Sequence, residues 1–343
     1  AADDSPIIDP DAAELTQPGG PNLYRFADKD RVLTAIEAAN ATDGVWGDTV
    51  ILASSSDAHY ADALAAAPLA DAVDAPVLLT EPGGSVNPYV IDYLEDHEVS
   101  NVILASGTQV LTAGVVSELE ADGYDVERYA GANRYATAVA LAQGAIVEGG
   151  LEDVNVFVAD GTNFPDALAA GAAASAYNGV VLLSQGGKLE AFTAAALALT
   201  PAYHGVGALN HDEIISVGGA ATTAVSVGYL ENGFDDSSTT SVVGVTRYDT
   251  AVQLAEDYFD APQPGAEVFA IASGEISSDA VVASAWAANV DGPLLLTHNA
   301  SLTGSTADYL ADAVDKGDSV AVFGGTGSVS ANVSAQLKAL LTY

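Results

Sequence analysis

Arg134-Tyr135-Ala136-Thr137-Ala138 opens a stretch that reaches Asp166-Ala167-Leu168 thirty-two residues later and Val180-Val181-Leu182-Leu183-Ser184 fourteen residues after that. The same succession occurs twice more. Arg247-Tyr248-Asp249-Thr250-Ala251 precedes Asp279-Ala280-Val281 and Pro293-Leu294-Leu295-Leu296-Thr297 at the same two spacings. Arg31-Val32-Leu33-Thr34-Ala35 precedes Asp62-Ala63-Leu64 and Pro76-Val77-Leu78-Leu79-Thr80 at spacings of 31 and 14. Agreement to one residue across three copies marks an internal repeat, and such a repeat governs every local motif. The chain divides into an N-terminal acidic segment, residues 1–21, and three modules, 22–131, 132–245 and 246–343.

The middle copy gives the layout of one module. Ala132–Val147 has apolar residues at helical spacing, and Val154–Ala159 is a short β-branched run that reads as a strand. After the turn Asp160–Pro165 comes a helix, Asp166–Tyr177, built of Ala, Gly and Leu on every side. A helix that is apolar all round belongs in an interior. Strand Gly179–Ser184, helix Leu189–Leu199, strand Ile214–Val217, helix Ala220–Leu230 and strand Thr240–Val245 follow. Strands alternating with helices predict an α/β fold with a parallel sheet covered on both faces. Modules 1 and 2 end with a strand, Tyr124–Tyr129 and Thr240–Val245, while module 3 runs to Leu340-Leu341-Thr342-Tyr343 without one. Asn22–Phe26 aligns with the missing strand, because Arg25 stands six residues before Arg31 as Arg128 stands before Arg134. Strand 22–26 is therefore expected to complete module 3, or to pack where a ring would close. The result is a triangle of three modules with pseudo-threefold symmetry.

Charge bounds the partners. The chain has 47 acidic and 9 basic residues, a net −38, beside a hydrophobic fraction of 49%. That fraction and the regular patterning argue for a folded body with a carboxylate surface rather than a disordered acidic chain. Such a surface repels itself in dilute buffer, but the Debye length falls to ~3 Å in molar salt. The composition reads as that of a halophile's protein, of archaeal type. Nucleic acid is excluded as a partner, since phosphate contacts need a basic face. No apolar run approaches the ~20 residues that cross a bilayer. Cysteine is absent, which removes disulfides and thiolate chemistry.

The five arginines, Arg25, Arg31, Arg128, Arg134 and Arg247, all lie in module-opening segments. Two readings apply. Guanidinium groups can grip the carboxylates or hydroxyls of a glycan. Alternatively each lead arginine, Arg31, Arg134 or Arg247, forms a partly buried structural pair with Asp62, Asp166 or Asp279, stitching helix to helix or module to module; this second reading is favoured. Each of these aspartates also stands where a carboxylate caps a helix N-terminus. The polar loop tips after the first strand of each module are the ligand-binding candidates: Ser55, Ser56 and Asp57; Asp160, Thr162 and Asn163; Ser273 and Glu275. In open parallel sheets, ligands bind at the carboxyl ends of strands.

No enzyme set stands out. Gly186-Gly187-Lys188 lacks phosphate-loop spacing, and Asp160 stands without the second aspartate of a Toprim nuclease. The five histidines, His59, His97, His204, His211 and His298, do not recur at equivalent positions. No cofactor and no dedicated metal site are expected, although acidic clusters such as Asp235-Asp236 have the oxygen chemistry to take Ca²⁺ or Mg²⁺. Three glycosylation sequons begin at Asn40, Asn299 and Asn332, and Asn299 is expected to be exposed.

These motifs resemble the cell wall binding repeat 2 family of clostridial and haloarchaeal surface proteins. The match is carried by residues 128–138, by Asp160-Gly161-Thr162-Asn163-Phe164-Pro165-Asp166-Ala167-Leu168, by Val180–Ser184, and by Val322-Phe323-Gly324-Gly325-Thr326-Gly327-Ser328-Val329-Ser330. It covers about residues 23–343. Departures are Tyr60-Ala61 and Ser277-Ser278 where the pattern has Phe-Pro, and Ser241 in place of the first arginine of module 3. The resemblance implies three Rossmann-like or Toprim-like modules in a triangle, and a non-catalytic, extracellular cell-surface protein. Its expected partner is a cell-envelope glycan or an S-layer protein. The alternative is a self-assembling structural protein, a homopolymer forming filaments or surface arrays.

Overall fold

A computed structural model describes residues 21–42, 44–199, 203–232, 239–260 and 265–341. Most of the acidic N-terminal segment and the pair Asp235-Asp236 lie outside the described residues. The chain folds as three four-stranded sheets, every strand pair parallel.

Strand β1 (Asn22–Phe26) and helix α1 (Arg31–Asn40) come first. The first sheet has β2 (Thr49–Ser54), β3 (Val77–Thr80), β4 (Asn101–Leu104) and β5 (Asp125–Arg128), in spatial order β3-β2-β4-β5. Its helices are α2 (Ala67–Ala72), α3 (Pro88–Asp96) and α4 (Ala113–Ala121). The second module has helix α5 (Arg134–Gly149), β6 (Val154–Asp160), α6 (Pro165–Ala176), β7 (Gly179–Ser184), α7 (Ala191–Ala196), β8 (His211–Val217), α8 (Gly219–Glu231) and β9 (Thr239–Val242). Its sheet order is β7-β6-β8-β9. The third has α9 (Arg247–Phe259), β10 (Val268–Ser273), α10 (Ser277–Asn289), β11 (Leu294–Thr297), α11 (Gly304–Ala313), β12 (Ser319–Phe323) and α12 (Ala331–Leu340). Here the order is β11-β10-β12-β1. Asn22 pairs with Ser319 and Phe26 with Phe323, so the fourth strand of the last sheet comes from the beginning of the chain.

Several elements differ from the sequence expectation: β8 starts at His211 rather than Ile214, and β9 stops at Val242 rather than Val245. The helix expected over Leu189–Leu199 covers only Ala191–Ala196, because Glu190 caps its start and Ala198 turns into the left-handed region at φ 62°. In module 1 the central helix is broken: a 3₁₀ turn over Tyr60–Ala63 precedes α2, where module 2 has an uninterrupted α6 opened by Pro165.

The three central helices, α2, α6 and α10, pack against one another pairwise. Small residues permit this: a side chain at Gly171 would run into Ser284 and Ala67. Ser284 Oγ donates to the Leu168 carbonyl at 2.7 Å, and Trp286 Nε1 to Thr42 Oγ1 at 2.8 Å. Each lead helix covers its own sheet and also touches a central helix of the neighbouring module. α5 lies on α2, α9 on α6, and α1 on α10, so the contacts run round a closed ring. The main apolar core accordingly includes residues of all three modules.

Asp71, on α2, sits in this interior seam. Burial first, then Asp291 of module 3 and Asp74, push its carboxyl up to about 7. The native state then keeps a proton that the unfolded chain has released above its ordinary value of 3.8. Stability contributed by this group is present at low pH and falls as pH rises from about 4 to 7. Asp71→Asn is expected to flatten that fall and to stabilise the protein above pH 7. Urea unfolding on either side of the window, at constant molar KCl, checks it; the same pH difference in both proteins would disprove it.

Candidate functional site

In every sheet the strand order reverses between two neighbouring strands: β2 and β4, β6 and β8, β10 and β12. The crevice outside the ends of such strands is where open α/β sheets take ligands. Here the chain fills it with its own side chains. Asp62 Oδ2 accepts the Gly107 N–H at 3.4 Å, and Asp279 Oδ2 accepts Ser328 Oγ at 2.7 Å. Asp166 Oδ2 lies against Gly218, and Asp279 Oδ2 against Gly324; a Cβ at either glycine would collide with the carboxylate. Both glycines are also left-handed, at φ 81° and 104°, so the loop geometry needs them twice over.

Burial raises all three carboxyls, Asp166 to about 6. The opposing charge comes from the next module round the ring. Arg134 faces Asp62, Arg247 faces Asp166, and Arg31 faces Asp279. Asp166 Oδ1 is buried without a hydrogen-bond partner.

Among the described residues these arginines and aspartates face one another from module to module, one of the two arrangements expected, without closing into salt bridges. Each lead arginine instead gives its Nη1 to a backbone carbonyl of its own module: Arg31 to Ser55 at 2.7 Å, Arg134 to Gly161 at 2.6 Å, Arg247 to Gly274 at 2.7 Å. Among the described residues, the one arginine salt bridge joins Arg31 to Asp57. Arg25 and Arg128 do the same work on the third-strand loops. Arg25 donates to the carbonyls of Gly324 and Val329 and to Ser334 Oγ, and Arg128 to those of Ser106 and Leu111. A planar fork suits several carbonyls at once. Sequence reasoning missed these partners because no residue type marks a carbonyl acceptor. Side-chain capping by these aspartates is absent, while their place in the first helical turn, which complements the helix dipole, is as expected. Phe164 and Ile276 stand at the N-caps of α6 and α10 without side-chain caps, and Asp166 and Asp279 lie inside the first turns.

The loop-tip candidates are largely bound to the protein. Asp57 is held by the Arg31 fork, and Ser56 Oγ accepts the Ala58 N–H. Asp160 accepts Thr162 N–H and Oγ1 and the Gly186 N–H, tying the ends of β6 and β7 together. Asn163 Oδ1 accepts the Phe164 N–H. Ser273 Oγ accepts the Glu275 N–H, while Glu275 accepts from the Asn299 N–H and meets His298 Nδ1 at 3.2 Å. Those two contacts hold the Glu275 carboxyl below the usual range.

Where modules 1 and 3 meet, a cleft of about 350 Å³ opens beside Asp28, Lys29, Arg31, Ser278 and Asp279. Asn40 is exposed at the end of α1. Asn299 is half-buried rather than exposed, its amide bonded to the Gly327 carbonyl, and Asn332 donates to the Ala300 carbonyl at 3.0 Å. Among the described residues, no group of three or more His, Asp or Glu is arranged to hold a metal ion. No described helix is long and apolar enough to cross a membrane.

Comparison with known proteins agrees with this geometry. Residues 25–116, 128–227 and 242–334 each match one family model, described as cell wall binding domain 2 (CWB2). The N-acetylmuramoyl-L-alanine amidase LytC of Bacillus subtilis is 32% identical over 126 residues, covering 36% of this chain and 25% of the amidase. The amidase enhancer of the same organism is 25% identical over 323 residues, 91% of this chain and 40% of that protein. Two solved structures from Clostridium difficile share the three-module arrangement. Cwp6 matches with a TM-score of 0.76 at 19% identity over 98% of this chain and 51% of its own. Cwp8 matches at 0.72 and 22% over 93% and 52%. The chain thus spans half or less of the two Bacillus relatives and about half of each solved chain.

Proposed function

The chain belongs to the cell wall binding domain 2 family, and we propose that it is a cell-wall-binding surface protein, a non-catalytic adhesion body for a glycan of the cell envelope. One observation carries the reading: all three crevices in which such sheets place reactive groups are plugged by an aspartate and a glycine loop, with the neighbouring module's arginine beside them. This arrangement, among the described residues, favours binding over catalysis. The amidase function in LytC's name belongs to that protein, of which this chain covers 25%.

The net charge of −38 supports a halophilic setting, where salt screens the surface. It also disfavours a strongly anionic polymer as ligand. Co-sedimentation in molar KCl tests the reading. The full chain is expected to pellet with purified envelopes, and to stay in solution after their glycan is oxidised by periodate. A chain that never pellets overturns it. Pelleting that survives periodate points to an S-layer protein as the partner instead, and polymers in envelope-free samples point to self-assembly.

A further inference from the structure

Module 2 departs from its siblings on one outer flank. Between the helix and the following strand, modules 1 and 3 use only residues 97–100 and 314–318, whereas module 2 uses residues 197–210. The insertion ends in a tight hairpin. Tyr203 and Val206 exchange both backbone hydrogen bonds at 3.0 Å, and His204 and Gly205 between them stand at φ 48° and 87°. Two left-handed central residues define a type I′ turn, which is rigid. The hairpin holds Tyr203 edge-on to Phe192 of α7, ring centres 4.9 Å apart, and His204 against Tyr203 at 4.3 Å. Phe192 is buried, while Tyr203 stays 39% exposed.

Opposite this aromatic corner runs the outer face of α5, kept low by Ala136 and Ala140. The two walls enclose a cavity of about 560 Å³. Its polar groups are few and placed. Glu190 spends one oxygen on the Phe192 N–H at 2.8 Å and turns the other toward Asn133 Nδ2 at 3.5 Å. Gln143 is exposed on α5, and its amide has no hydrogen-bond partner among the described residues. No lysine or arginine lines the cavity.

We infer that this cavity is a binding subsite for an uncharged sugar ring, with Tyr203 as the aromatic wall, His204 set at 77° to it, and Asn133, Gln143 and Glu190 as hydroxyl ligands. A pyranose presents an apolar C–H face and a belt of hydroxyls, and the cavity presents a π-face and a short row of amide and carboxylate groups. Its size suits one or two rings. A phosphate or uronate is disfavoured, because Glu190 puts a carboxylate in the cavity and no lysine or arginine is among its described lining residues. The inference rests on the reading of the chain as a glycan binder and narrows it to a neutral glycan held on module 2. It also gives His204 a role that the repeat denied it.

Saturation-transfer NMR on the full chain in molar KCl tests this, with the methyl glycosides of glucose, galactose, mannose and N-acetylglucosamine and with glucuronic acid as probes. At least one neutral glycoside is expected to receive saturation at its ring C–H protons. Tyr203→Ala is expected to weaken it about tenfold, and Tyr203→Phe to keep it. Gln143→Ala, on the exposed face of α5, should also weaken it and leaves the hairpin intact. Saturation of no neutral glycoside, an unchanged signal in both Tyr203→Ala and Gln143→Ala, or preference for glucuronic acid overturns the subsite. Envelope pelleting separates the two readings: if Tyr203→Ala pellets as the parent does while no glycoside binds, the subsite falls and the adhesion reading stands. If neutral glycosides bind at Tyr203 while the parent chain never pellets, the adhesion reading falls and the subsite stands.

Discussion

Phe26→Ala is expected to destabilise the protein by about 3–5 kcal/mol, the usual cost of emptying a fully buried phenylalanine site. Phe26 is 0% exposed and lies edge-on to Phe323 at 5.2 Å and to Trp286 at 5.9 Å. Those partners belong to module 3, 297 and 260 residues away in sequence, so the loss falls on the closure of the ring. Stabilities of folded domains are only about 5–15 kcal/mol. A loss of this size therefore removes a large share of the total. Urea unfolding in molar KCl measures it. The chain has two tryptophans, and Trp286 sits at the seam, so its fluorescence should change in an earlier transition than far-ultraviolet circular dichroism does. A loss under about 1 kcal/mol, below the range for buried aromatics, would show that β1 is only loosely attached.

Gly218→Ala is expected to be the other severe substitution. The backbone there, at φ 81° and ψ 156°, is open essentially to glycine alone and costs other residues about 1–3 kcal/mol. The added methyl also meets Asp166 Oδ2. A loss of about 3 kcal/mol or more follows from the two together. Asp166→Ala in the same chain relieves the collision and leaves the backbone strain, so the double variant should be more stable than the sum of the two singles by about 1–2 kcal/mol. Gly325→Ala, with open space around it, serves as control and should stay within about 0.5 kcal/mol. Additive losses would mean that Asp166 does not occupy the crevice in solution.

Much of the fold was legible because the repeat made each copy a check on the others. β7 falls on Gly179–Ser184 as read, and α6 on Pro165–Ala176, one residue from the expected Asp166–Tyr177. Alanine on every side of α6 announced its interior place, and it packs between α2 and α10. Less of the site was legible. The spacing from Arg134 to Asp166 is a property of one module, yet Arg134 faces Asp62 of the module before it. Sequence register reports neighbours along the chain, and the electrostatic neighbours here are neighbours round the ring. The loop tips Asp160 and Glu275 look exposed in sequence because turns are polar, but turn geometry absorbs most of their acceptors. The module 2 insertion carried a signal, the extra length before β8, and its aromatic corner is invisible until the hairpin brings Tyr203 over Phe192.

The pairing of β1 with β12 makes the order of the modules cyclic. In the first two sheets the chain itself runs from α4 into β5 and leads from α8 to β9; α12 and β1 stand in the same relation, and no described peptide joins them. The polypeptide behaves as a necklace with one clasp. Nothing in the packing fixes which of the three equivalent links must be the open one. A gene restarted between α4 and β5, with the present clasp sewn shut by a linker, is expected to keep the β1–β12 pairing and move the ends to another corner. A passenger domain fused there would project in a new direction from the same three-module body.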